Sequence, residues 1–138
     1  MLFSTQVTSI SDKERLLQTL DRALGSWMTY APYLDFFRRK LRRSQAVPTE
    51  QVPQDVITMN SRFALRDDHT GDTVCYTLVY PDEADINENK LSVLAPLGMA
   101  LLGTGVGQVV KFDAPAGPRR LKIEKVLYQP EACGDFHL

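Results

Sequence analysis

Residues 91–110 read LSVLAPLGMALLGTGVGQVV, a stretch of twenty residues without a charged side chain. The length fits a membrane span, which needs about 20 apolar residues. Pro96, four glycines and several polar residues interrupt the stretch, however, and a Gly-Thr-Gly-Val-Gly run is atypical of a spanning helix. The composition therefore argues against a membrane-spanning segment.

A second interpretation is a phosphate-binding loop at residues 103–107, GTGVG. A Walker loop needs a Lys followed by Ser or Thr, and a dinucleotide fingerprint needs a strand before it and a helix after it. No Lys-Ser/Thr pair follows here, and the preceding residues look helical whereas the following ones look like a strand. The order of elements is thus the reverse of what phosphate binding requires.

The third interpretation is a buried structural unit, and it is the one that the residues favour. It consists of a strand at 91–94, a short helix at 96–102, a glycine turn and a strand at 108–112. Pro96 suits the first position of a helix, and Gly103 suits the end of one. Because Met99, Leu101 and Leu102 leave little polar surface, we expect this helix to be mostly buried against a curled sheet.

Alternating apolar and polar residues predict further strands at 56–60, 62–66, 72–80 and 119–129. Residues 67–72 form a predicted turn in which Gly71 supplies a positive φ. The alternation of the last strand breaks at Lys125, where a bulge is expected. Antiparallel strands around one short helix indicate an α+β domain.

The sequence of the N-terminal third predicts two helices. Ser11 and Glu14 fit a capping box, and leucines recur at helical spacing from Leu16 until Gly25. A second helical pattern begins near Pro32 and places Leu34, Phe37 and Leu41 on one face. We expect an antiparallel helical hairpin at residues 1–47, a proline-containing linker at 46–54 and a second domain at 48–138.

Composition is that of an ordinary globular protein. The chain has 138 residues, of which 43% are hydrophobic and 24% charged, and its net charge of −1 does not argue for binding to free nucleic acid. Two cysteines without a CxxC motif do not form a disulfide framework, so a reduced cytoplasmic protein is expected.

Residues with catalytic or metal-binding chemistry are few. The group Asp67, Asp68, His69 and Asp72 is a weak metal candidate that is more simply a polar turn. Cys133 and His137 have no second pair of ligands with which to hold zinc. The sequence therefore predicts no catalytic residue, no metal and no cofactor.

Several motifs in a fixed order carry a resemblance to a known family. Residues 92–107 (SVLAPLGMALLGTGVG) resemble the signature of the C-terminal domain of the Gre transcript-cleavage factors. Residues 56–62 (VITMNSR), 77–81 (TLVYP) and 128–135 (YQPEACGD) resemble its branch called regulator of nucleoside diphosphate kinase, or Rnk. The resemblance implies an FKBP-like second domain and an N-terminal hairpin that is a shortened coiled coil.

The resemblance also implies a function as a transcription elongation regulator that binds RNA polymerase at the rim of its secondary channel, in competition with Gre factors. Matched onto this chain, the docking candidates are Ser92, Ala95, Pro96 and Leu97, and Gre factors commonly carry Ser where Ala95 stands. Further contact candidates are the residues of the hairpin tip (Trp27, Met28, Tyr30) and the basic end of the second helix (Arg38, Arg39, Arg42, Arg43).

The hairpin tip departs from the Gre pattern. In Gre factors two acidic residues at the tip help to hold a metal ion in the polymerase active centre, whereas residues 25–31 (GSWMTYA) contain no Asp or Glu. Transcript cleavage is therefore not expected. Nucleic acid would be contacted only through polymerase, and no membrane is involved.

Two alternative functions stay open. One is regulation of nucleoside diphosphate kinase, either by direct protein contact or through transcription. The other is an FKBP-like prolyl isomerase or chaperone, which would need an aromatic-lined pocket. The available aromatic residues are more simply core or cross-strand pairs (Phe63, Tyr76, Tyr80, Phe112, Tyr128).

Overall fold

The computed structural model describes residues 7–24, 32–114 and 117–135. The chain divides into two compact units, Met1–Val52 and Pro53–Leu138. Among the described residues, no helix has both the length and the apolar content needed to cross a bilayer.

The first unit contains strand β1 (Val7–Ser9), helix α1 (Ile10–Leu24), helix α2 (Pro32–Arg43) and strand β2 (Gln45–Val47). The two helices pack on each other through the apolar positions of the predicted helical pattern, which confirms both helices. The buried side chains of this contact are Leu16, Leu20, Leu34, Phe37 and Leu41.

The helices run antiparallel, as hydrogen bonds at both ends show. Lys13, in the first turns of α1, donates its Nζ to the carbonyl oxygens of Arg42 and Ser44, at 3.2 and 3.1 Å. At the other end, Arg38 of α2 donates to the carboxylate of Asp21 on α1 at 3.3 Å. The predicted hairpin is therefore present in the described helices.

Two predictions for this unit were wrong. The residue that caps α1 is Ser9 rather than Ser11, because the Ser9 Oγ accepts a hydrogen bond from the amide of Asp12 at 3.0 Å. The predicted linker from residue 46 is also partly a strand, since β2 pairs in parallel with β1 and places Ala46 beside Thr8. Strands of three residues are too short to show a periodic pattern.

The second unit is built on a five-stranded sheet of order β5-β4-β3-β7-β6. The strands are β3 (Arg62–Asp67), β4 (Thr73–Val79), β5 (Lys90–Ser92), β6 (Val109–Ala114) and β7 (Gly117–Tyr128). All neighbours pair antiparallel except β4 and β5, which are parallel. The fold is thus α+β, as predicted, but the sheet is not purely antiparallel.

The bulge expected near Lys125 is present as a pair of irregularities. The register of β3 against β7 shifts between Ala64 and Leu65, where the β7 partners are Lys125 and Ile123, and again between Arg62 and Phe63. Such shifts bend a strand and increase its twist, so they help this long strand to curl.

Residues 56–60 were predicted as a strand and are not one. Only Val56 forms an isolated bridge, to Gly105, and Asn60 adopts a φ of 64° in a turn. The backbone of Ile57 instead bonds to the glycine turn, donating to the Thr104 carbonyl at 2.8 Å and accepting from Gly103 at 2.9 Å. The apolar run is buried because it packs as a loop against this turn.

The backbone amides of the glycine turn (residues 103–107) therefore donate hydrogen bonds within the protein. In addition to these bonds, the amides of Val106 and Gly107 donate to the carbonyls of Asp55 and Ile123, both at 2.9 Å. Amides used in this way are not available to a phosphate, so the structure agrees with the third interpretation of this stretch.

Helix α3 (Pro96–Leu101) is less buried than the sequence predicted: Gly98 and Leu101 are buried, residues 97, 99 and 100 are half-buried, and Pro96 is exposed. Pro96 occupies its first turn, and Leu101 and Leu102 are fully buried. Gly98 packs directly on the backbone of β5: a Cβ at this position would lie 2.1 Å from the carbonyl oxygen of Ser92. Only glycine permits this approach, which places the helix at backbone contact distance from the strand.

The C-terminal turn ties residues 53–61 to the end of β7. Gln129 is buried and donates its amide to the carbonyls of Pro53 and Val56, both at 2.7 Å. Thr58 donates to the Glu131 carboxylate at 2.7 Å. Two of the sequence motifs that carry the family resemblance thus contact each other, in a structural role.

We predict that Ser9→Ala lowers the free energy of unfolding of the first unit by about 1 kcal/mol, because the Asp12 amide loses its capping partner. Ser11→Ala is the matched control. A larger effect of Ser11→Ala than of Ser9→Ala in urea denaturation would contradict this cap assignment.

We predict that Gly98→Ala destabilises the second unit by at least about 2 kcal/mol, because the added methyl group meets the Ser92 carbonyl. Gly105→Ala serves as the control, since a Cβ there would lie at an ordinary 3.5 Å from the nearest atom, the Asp55 carbonyl oxygen. Thermal unfolding of both variants tests the difference, and equal melting temperatures would refute it.

Candidate functional site

The four docking candidates lie together in the turn that enters α3. The carbonyl of Ser92 accepts the Ala95 amide at 3.0 Å, and the Ser92 Oγ accepts the Leu94 amide at 3.1 Å. The Ala95 carbonyl then accepts the Met99 amide at 2.9 Å and starts the helix. Residues 92–97, called the entry turn below, are therefore a closed, internally bonded structure.

The entry turn presents a small apolar surface. Pro96 is exposed, while Ser92, Ala95 and Leu97 are half-buried. Leu97 therefore belongs to the surface as well as to the packing beneath it. Ala95 precedes the helix without a side-chain hydrogen bond, so its methyl group adds only shape to this surface.

Acidic residues flank the entry turn. Since β4 and β5 are parallel, their carboxyl ends meet at one edge of the sheet, and Val79 pairs with Ser92. The turn Pro81–Glu83, which follows β4, packs against β5 and carries the exposed Asp82 and Glu83. Only the parallel pairing, which the sequence did not reveal, brings these residues to the same edge.

The four basic candidates of α2 divide into two pairs. Arg38 donates to Asp35 at 2.7 Å and to Asp21 at 3.3 Å, and Arg39 lies 2.9 Å from Asp35. The hydrogen bond to Asp35, with that to Asp21, raises the pKa of Arg38. Arg42 and Arg43 are exposed at the end of the helix. Two of the four basic candidates, Arg38 and Arg39, therefore form ion pairs within the hairpin.

Lys40, between these pairs, is half-buried, and burial lowers the pKa of its ammonium group. The hairpin-tip candidates Trp27, Met28 and Tyr30 lie outside the described residues.

The Asp67 turn is organised by its own backbone. The Asp67 carboxylate accepts the amide of His69 at 2.8 Å and that of Thr70 at 3.3 Å, and Arg119 donates to its other oxygen at 2.6 Å. These bonds, with that from the His69 amide foremost, lower the pKa of Asp67. Within residues 7–24, 32–114 and 117–135, no group of three or more His, Cys, Asp or Glu could hold a metal ion.

The aromatic residues of the sheet lie in structural positions. Phe63 and Tyr76 are cross-strand partners, and Phe63 and Tyr80 are buried. Tyr128 donates its hydroxyl to the Asp135 carboxylate, which raises the pKa of Tyr128 to about 12. The side chain of Phe112 is outside the described residues.

Comparisons with known proteins match a family model to the second unit and relatives to a larger part of the chain. The family described as "Transcription elongation factor, GreA/GreB, C-term" matches residues 52–128. The regulator of nucleoside diphosphate kinase of Escherichia coli (strain K12) is 41% identical over 108 residues, which are 78% of this chain and 79% of that protein. Transcription elongation factor GreA of Syntrophus aciditrophicus (strain SB) is 31% identical over 70% of this chain and 60% of its own length.

A solved structure is similar over most of the chain. The prokaryotic transcription elongation factor GreA/GreB from Nitrosomonas europaea has a TM-score of 0.77 and 34% sequence identity, and the match covers 91% of this chain and all of that one.

We predict that Asp67→Asn lowers the free energy of unfolding at neutral pH and that this deficit shrinks at acidic pH. The folded-state pKa of Asp67 is depressed, so its contribution is complete above the unfolded pKa of about 3.9 and is lost as the pH falls through the folded value. Urea denaturation at pH 7, 5 and 3 measures this. A deficit that does not change with pH would contradict it, and the exposed Asp68 (Asp68→Asn) is the control.

Proposed function

This chain belongs to the GreA/GreB family of transcription elongation factors, and from that membership we propose that it binds RNA polymerase at the rim of the secondary channel. It acts there by occupancy, in competition with Gre factors, and catalyses no reaction of its own. We further infer that its second unit is FKBP-like and that its hairpin is a shortened coiled coil.

The observation that carries the proposal is the geometry of the entry turn. The amides of Leu94 and Ala95 bond to Ser92 within the turn. The Val93 amide bonds to Val79 of β4, and Gly98 packs on β5, so Pro96 projects from a base that is bonded to the sheet. A preorganised apolar side chain loses little entropy on docking and suits a pocket in a partner. Ser92, Ala95 and Leu97 surround it and complete the proposed contact.

The absence of transcript cleavage is the second part of the proposal. The acidic residues nearest to the tip in sequence are Asp21 and Asp35, and both form ion pairs with Arg38. A carboxylate that is committed to an arginine is poorly suited to hold a catalytic metal. Residues 25–31 supply no acid in their place.

A second candidate function follows from the name of the Escherichia coli relative, regulator of nucleoside diphosphate kinase. Direct contact with that kinase would be an alternative use of the same exposed surfaces. Binding to the purified kinase in the absence of polymerase distinguishes this function from the first.

We predict that the protein binds core RNA polymerase and that excess Gre factor displaces it. Pro96→Asp weakens the binding at least tenfold, because a charge enters an apolar contact, while an acidic residue in the first turn of α3 is compatible with the helix. Pro48→Asp, at an exposed proline of the first unit, is the matched control.

Binding can be measured by surface plasmon resonance with immobilised polymerase, and cleavage with a backtracked elongation complex. Wild-type protein that fails to bind, or equal affinities for Pro96→Asp and Pro48→Asp, would overturn the docking proposal. RNA cleavage above background would overturn the occupancy mechanism.

A further inference from the structure

The outer face of the five-stranded sheet concentrates positive charge. Strand alternation buries Leu65, Leu121 and Ile123 on the inner face and sends their neighbours outward. Six exposed cations of three adjacent strands project from the outer face: Arg62, Arg66, Lys111, Arg120, Lys122 and Lys125.

The register places like charges directly opposite each other. Arg66 pairs with Lys122 across β3 and β7, and Lys111 pairs with Arg120 across β6 and β7. Side chains of directly opposite residues lie about 5 Å apart at Cβ, and like charges in this arrangement destabilise a sheet. An arrangement that costs stability in the free protein is relieved when an anion binds across it.

Carboxylates of the protein itself neutralise these cations only weakly. Among the described side chains, Glu124 lies 3.7 Å from Arg66 and Asp68 lies 3.9 Å from Arg120, and all four are partly solvent-exposed. Ion pairs of this kind contribute little. Among the carboxylates whose side chains the structure describes, none forms an ion pair with Lys111, Lys122 or Lys125 within 4 Å.

We propose that this outer face binds the phosphate backbone of nucleic acid. Neighbouring strands lie about 4.8 Å apart, and residues of one face repeat about every 6.8 Å along a strand, so the cations form a twisted grid with spacings that an extended polyanion can follow. Arg66 and Arg120 offer bidentate donors, which match phosphate oxygens. The hydroxyl of Thr73, register partner of Arg66, lies beside the grid.

Composition favours nucleic acid over an acidic protein as the occupant. The centres of protein–protein interfaces are depleted of lysine and rich in aromatic anchors. This face has three lysines, and the apolar side chains beside them are aliphatic: the buried Ala64, partner of Lys125, and the exposed Val109, partner of Lys122. Tyr128, at its end, has its hydroxyl engaged by Asp135. With six cations across it and one half-buried tyrosine at its end, this face is suited to phosphate contacts, which do not depend on base sequence.

The test uses the full-length protein and a fluorescein-labelled single-stranded 20-mer of mixed sequence, with fluorescence anisotropy at 50–200 mM salt and no polymerase present. We expect micromolar binding that weakens steeply with salt. Lys122→Glu reduces affinity about tenfold at 50 mM salt and lowers the slope of log K against log salt concentration by about 0.7. Arg22→Glu, an exposed cation of α1, makes the same change in net charge and retains the wild-type slope.

A melting curve separates binding from folding. Lys122→Glu places an opposite charge beside Arg66, so its melting temperature should equal or exceed that of the wild type. Three results would each overturn the proposal. The wild-type protein does not bind the oligonucleotide, or Lys122→Glu and Arg22→Glu lose the same amount of affinity. The third is that poly-glutamate displaces the labelled oligonucleotide as efficiently as an unlabelled oligonucleotide of equal charge does. Since polymerase is absent, these outcomes are independent of docking at the entry turn.

Discussion

The second unit depends on one close contact, that of Gly98 with the carbonyl oxygen of Ser92. A Cβ at this position would stand 2.1 Å from that oxygen, so any other residue would push α3 away from β5. The contact sets the depth at which Leu101 and Leu102 enter the core, and both are fully buried. The same contact fixes the direction of the entry turn, so the exposed position of Pro96 is a consequence of core packing.

Sequence reasoning succeeded where a periodic pattern was long enough to be read. The helices of the hairpin and strands β3, β4 and β7 follow from the spacing of their apolar residues. Helix α3 follows from Pro96 and Gly103 at its ends, and the strand predicted at 91–94 is present two residues shorter at its end, as β5. It failed where pairing with distant segments decides the structure. Residues 56–60 have the composition of a strand, but the backbone of Ile57 bonds to the glycine turn and the side chain of Thr58 to Glu131 of the C-terminal turn. The β1–β2 pair has no local signal at all.

The candidate site shows the same division. The four residues of the entry turn are close in sequence, so their proximity in space was predictable. Their acidic neighbours, Asp82 and Glu83, are brought to the same edge by the parallel pairing of β4 with β5, which composition does not encode. The surface charge was the hardest property to predict. The number of charged residues can be counted from the sequence, but the fold decides which of them are paired and which are exposed on one face. Arg38 is used inside the hairpin, whereas Lys122 stands on an open face.

A net charge of −1 is therefore a poor guide to how this protein meets its partners. The entry turn exposes Pro96 and half-buries Leu97, so the contact proposed there is uncharged and would depend weakly on ionic strength. The outer face of the sheet leaves cations opposite cations, and any contact made there depends strongly on it. The two contacts proposed for this unit would therefore differ in how strongly they depend on salt.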